Sequence, residues 1–193
     1  MRKLIVILSP AAIVITIIAG DVLRSTGRTV ANATSAGTAI SLPQDPPGTI
    51  DGSLTPELIP DTVAYSLFFN FFLNREKNER GKLQAYISQT PLQGLSVDAL
   101  IAAAAYYKER VAPIDAQVQA ISDNHPQLTG RNSSTITDQL ALLRSQREVV
   151  TMEVVESLSS RLGSEGAKAI RKHIDQRIKP NIKIVPGPSL TAK

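Results

Sequence analysis

Leu100, Ala104, Tyr107, Val111, Ile114, Val118 and Ile121 follow one another at spacings of 4, 3, 4, 3, 4 and 3 residues. No other feature constrains the chain so tightly. A 4-3 repeat holds one narrow apolar seam on a helix through three heptads, and that seam stays exposed unless another helix lies along it. The spacing predicts a helix over 97–124. Ser96 suits its N-cap, and Leu95 and Leu100 are placed to clasp across that cap. Pro113 falls inside the repeat, where it removes one backbone donor and crowds the preceding turn, so a bend is expected near 109–113.

Two further segments carry related rhythms. Tyr65, Phe69, Phe72, Glu76, Glu79, Leu83 and Tyr86 predict a helix over 61–88, begun at Asp61 behind Pro60. Ile136, Leu140, Leu143, Arg147, Val150, Val154, Leu158 and Leu162 predict one over 134–162. Gly163, Ser164 and Gly166 then punctuate the chain before a shorter helix over 165–179. Pro91 with Gly94, and Pro126 with Gly130, mark the turns between, and no alternating strand pattern stands out after Pro60. Helices of this length run about 40 Å, and short turns make sequential neighbours antiparallel. The expected fold is all-α: an elongated antiparallel bundle of three long helices plus a shorter, basic C-terminal helix.

The amino-terminal part reads differently. Met1-Arg2-Lys3 precedes an apolar run from Leu4 to Ala19, interrupted by Ser9, Pro10 and Thr16. Its length lies between a signal-peptide core and the roughly 20 residues of a membrane span, so residues 1–28 read as a signal peptide or membrane anchor. Either reading places the rest of the chain outside the cytoplasm: periplasmic, secreted, or anchored with its C-terminus outside. Residues 29–56 are rich in Pro, Thr, Ser and Ala and read as a disordered linker. The helical domain then spans 57–180, and 181–193 reads as an extended, proline-broken tail. The chain has no cysteine, which excludes disulfides, thiolate metal sites and cysteine nucleophiles.

All four phenylalanines fall in "YSLFFNFFLN", at 68, 69, 71 and 72. Val63 to Leu73 is too short to span a bilayer, so a helix apolar nearly all round points first to a core with neighbours on several sides. A partner or self-association face is the alternative, with Phe68, Phe71 and Tyr106 as its residues.

Glu76, Glu79 and Arg147 interrupt their seams near mid-helix. They read either as a buried polar layer, with the guanidinium on carboxylates, or as a solvated stretch around a bend at Gly81. His125 and His173 read as helix-end or surface residues, and no metal, phosphate-loop or nucleophile-elbow spacing is present. No cofactor is implied. Lys168, Arg171, Lys172, Arg177 and Lys179 make the last helix basic, and Ala167, Ile170, Ile174 and Ile178 give it an apolar face. Its cations fit docking on the bundle or contact with an anionic surface such as lipid headgroups. The absence of interleaved aromatics argues against nucleic acid.

These residues lead to an exported, non-enzymatic helical interaction module that binds a polypeptide or envelope component, or self-associates into a homo-oligomer. An envelope hydrolase using Glu76 or Glu79, and a tethered structural spacer, are the alternatives.

Overall fold

The computed structural model describes residues 4–8, 13–17, 45–76, 80–124 and 133–186, and these are mostly helical. Four helices carry the chain: α1 Asp61–Glu76, α2 Arg80–Ser88, α3 Val97–Asn124 and α4 Ser133–His173. Helix α3 occupies the span that its seam predicts. Ser96 Oγ accepts from the Ala99 amide at 3.4 Å, as an N-cap should. Pro113 sits exposed inside α3, and the helix continues through it.

The predicted seams are the buried ones. Leu100, Ala104, Tyr107, Val111 and Ile114 are buried on α3, and Val118 and Ile121 are half-buried. On α4, Ile136, Leu140, Leu143, Val150, Val154 and Leu158 are buried. Arg110 pairs with Glu153, and Asp115 further along α3 pairs with Arg147 earlier on α4, so the two helices run antiparallel. Helix α1 packs on both, with Phe69 stacked on Tyr107 at 5.0 Å between ring centroids.

The span predicted as one helix over 61–88 carries α1 and α2, and 77–79 between them lie outside the described residues. Helix α2 is seated through Leu83 and Ile87, both buried. The predicted break after 162 is present as a kink within α4, where Gly163 has φ 70° and ψ −179°. A residue with a Cβ adopts that conformation only at a cost. Beyond His173 the chain widens into a π-helical turn, Ile174–Ile178, and then tightens into a 3-10 turn, Lys179–Asn181.

A small sheet was not expected. Strands β1 Leu4–Leu8, β2 Ile13–Ile17, β3 Ile50–Asp51 and β4 Ile182–Pro186 lie in the order β2-β1-β4-β3. Strand β1 runs parallel to β4, from Leu4↔Ile182 to Leu8↔Pro186, and antiparallel to β2. The described parts of the run read as a signal or anchor, 4–8 and 13–17, lie in this sheet. Their composition permits that: Ile5, Val6, Ile7 and the five residues from Ile13 to Ile17 are all β-branched, and Ser9-Pro10 separates the two strands. Among the described residues no helix is long and apolar enough to cross a membrane.

Residues 45–56, assigned by composition to the disordered linker, are folded. Ile50 and Asp51 pair antiparallel with β4, and the Gly52 amide donates to the Ile182 carbonyl at 2.9 Å. A Cβ on Gly52 would stand 1.9 Å from the Lys179 carbonyl oxygen, so only glycine lets the two backbones approach this closely. Residues 29–44 and 187–193 lie outside the described residues.

Candidate functional site

The aromatic cluster resolves into core. Phe68, Phe69 and Phe72 are fully buried, and Phe71 is half-buried against Phe72 and Tyr86. The partner face proposed at Phe68, Phe71 and Tyr106 does not assemble. Phe68 packs edge-on against His173 at 5.9 Å, whereas Tyr106 is 41% exposed and accepts from Arg110 at 2.9 Å. The hollow beside Tyr106, walled by Val154, Leu158 and Arg161, measures about 10 Å³. That is room for one water and not for a ligand.

Arg147 belongs to a polar layer among the described residues. The Glu76 side chain and Glu79 lie outside the described residues. Arg147 Nη1 donates to Asp115 at 2.8 Å, and its Nε reaches the Tyr107 hydroxyl at 3.4 Å. Tyr107 donates to Ser66 Oγ at 2.9 Å, and Ser66 donates to the Thr62 carbonyl at 2.7 Å. Thr151 lies 3.4 Å from the same Ser66 oxygen and donates to the Arg147 carbonyl. Each hydroxyl hydrogen in this chain has a fixed acceptor, and no base takes the Ser66 proton. The layer locks α1, α3 and α4 in register and offers no nucleophile.

His173 ends α4 as a buried residue, 1% exposed, and not as a surface group. Its Nε2 lies 3.0 Å from the Tyr86 hydroxyl, and its Nδ1 has no hydrogen-bond partner. Burial, with the nearby Arg177 charge, lowers its pKa to about 4, so the ring is neutral at physiological pH. Nothing local in IRKHIDQ announces this. The covering side chains, Phe68 and Tyr86, come from α1 and α2. His125 lies outside the described residues. Among the described residues no group of three or more metal-ligating side chains could hold an ion.

The basic residues divide. Lys179 is no free anion contact: it is buried, and its Nζ bridges Asp61 at 2.6 Å and Asp175 at 3.0 Å. Burial pulls its pKa down, but the hydrogen bonds to both carboxylates outweigh burial and leave the ammonium more basic than usual. Lys168 is exposed and pairs with Glu165 at 2.8 Å. Arg171, Lys172 and Arg177 are exposed without an ion pair among the described residues. An open cleft of about 570 Å³ lies here, between Pro56–Asp61 and Arg171, Asp175 and Lys179. Its charges are largely spent on one another.

The surface that composition did not reveal is the back of α4. Leu142 is 60% exposed, Val149 57% and Met152 36%. At about 100° per residue they share one face, turned away from the buried seam. Single exposed apolar residues are ordinary, but these line up. The signal was present as a second repeat, Asp138, Leu142, Ser145, Val149, Met152, Glu156 and Ser159, at spacings 4, 3, 4, 3, 4, 3. The first seam on the same helix hides it.

No family model, curated protein or solved structure matches this chain. Nothing in those comparisons ties it to an enzyme family.

Proposed function

We propose that this chain is a non-enzymatic helical interaction module, exported by its apolar amino-terminal run, that binds a polypeptide or envelope component through the back of α4. Its helices form an elongated antiparallel bundle with one working face. The observation that supports this reading is the exposed line Leu142–Val149–Met152, on a helix whose opposite seam already satisfies its own core. A helix with two seams belongs between two layers, and the described residues supply only one.

The test is a photo-crosslinking residue placed at Val149 in the full-length chain, followed by cell fractionation. A discrete adduct from Val149, absent when the residue replaces exposed Lys108 on α3, is expected in the extracytoplasmic fraction. No adduct at either position would leave a structural spacer. Recovery only in the cytoplasm would refute export.

A further inference from the structure

Resting on that reading, we infer that the partner of the α4 back face is a basic amphipathic helix. The shape of the site selects a helix. Seven positions from Asp138 to Ser159 keep the 4-3 spacing over a stretch of about 32 Å at 1.5 Å per residue, which only another helix can follow knob by knob. Ser145 leaves a shallow place between Leu142 and Val149 for a long apolar side chain, and Met152 adapts to what it meets.

The charge of the site selects the partner's sign. Asp138 and Glu156 bracket the apolar residues, and Glu148 flanks them. All three are exposed without an ion pair among the described residues. The cations of the same stretch are engaged elsewhere: Arg147 holds Asp115, and Arg144 already has an interaction of its own. Glu153 is held by Arg110. The face therefore presents apolar side chains inside an acidic margin.

That margin excludes a second copy of the same face. In an antiparallel pair centred on the stripe, Asp138 of each copy meets Glu156 of the other. In a parallel pair, Asp138 meets Asp138 and Glu156 meets Glu156. Carboxylate opposes carboxylate either way, and like charges at such positions set pairing preference by repulsion. A helix with leucine-type residues at 3-4 spacing and lysine or arginine on its flanks meets no such penalty.

The experiment uses the full chain and three synthetic peptides of about three heptads: a leucine-seam helix flanked by lysines, the same seam flanked by glutamates, and a scrambled control. Binding is read by fluorescence anisotropy at two salt concentrations. The lysine peptide should bind at least about tenfold more tightly than the glutamate peptide, with a preference that shrinks in high salt. Val149→Glu should abolish the interaction, and Glu148→Lys combined with Glu156→Lys should reverse the preference. Circular dichroism checks that these exposed substitutions leave the fold unchanged. Equal binding of both charged peptides, lost in Val149→Glu, would overturn the basic partner and leave the interaction face standing. Lysine-peptide binding unaffected by Val149→Glu, or no binding of either peptide, would overturn the inference, whatever the crosslink shows. Self-association that depends on Val149 would overturn it in favour of a second copy.

Discussion

Tyr107 on α3 donates its hydroxyl hydrogen to Ser66 on α1 at 2.9 Å, and the same Ser66 oxygen lies 3.4 Å from Thr151 of α4. An apolar seam alone allows helices to slide by a heptad; a hydrogen bond at one level does not. Tyr107→Phe keeps the ring stacked on Phe69 and removes the donor, so unfolding in urea should show a loss of about 1–2 kcal/mol. Ser66→Ala should cost more, because it leaves a buried tyrosine hydroxyl without its acceptor. The double variant should lose less than the sum, and strict additivity would show that the two side chains are not coupled.

Phe69 and Phe72 are fully buried, whereas Phe71 is half-buried at the edge with Tyr86. Phe69→Ala and Phe72→Ala should each destabilise by about 3–5 kcal/mol, the range for emptying a buried aromatic site. Phe68→Ala belongs with them, since Phe68 is equally buried. Phe71→Ala should cost clearly less, and it should not change the oligomeric state by sedimentation. Equal small losses at all four positions would contradict the core assignment.

The seams were legible because periodicity is local information: Leu100 to Ile121 declares a helix and its inner face without reference to anything else. The same logic recovered the kink at Gly163. It failed where the deciding contact lies far away in sequence. His173 is buried by Phe68 and Tyr86, and no pattern around 173 contains them. Arg147 pairs with Asp115 from α3, 32 residues earlier in the chain, a contact that no pattern around 147 announces. Residues 45–56 were lost for another reason. Proline and glycine have the same composition in a linker as in tight turns, and only the backbone approach of Gly52 to Lys179 tells them apart. The strands at Leu4–Leu8 and Ile13–Ile17 were not legible because a β-branched strand pair and an apolar leader draw on the same residue types.

Lys179 ties the end of the helical region to its beginning through Asp61, the first residue of α1, and to Asp175 one turn earlier. Both carboxylates are about half exposed, so water can partly re-solvate them if the ammonium is lost. Lys179→Ala should therefore cost about 1–2 kcal/mol, below the usual figure for breaking a fully buried pair. Lys179→Met should recover part of this, because the buried methylenes also pack. Thermal unfolding of the two variants side by side separates charge from packing; identical losses would assign the whole effect to the ion pairs.

His173 makes stability depend on pH with a definite sign. Its folded pKa is about 4 and its unfolded value is near 6.5, so the unfolded chain binds the extra proton first as pH falls. The contribution is complete above pH 6.5 and is lost progressively between 6.5 and 4. From pH 7.5 to pH 5 this site alone should remove about 2 kcal/mol. Most acidic side chains titrate lower, so the window is diagnostic when a variant is the reference. His173→Gln retains a polar group beside Tyr86 and does not titrate. Urea midpoints for the two proteins should converge as pH falls from 7.5 to 5, with the wild-type curve falling and the variant nearly flat. Parallel curves would mean that the ring is protonated in the folded state without penalty, and that the tight cover of Phe68 and Tyr86 is not kept in solution.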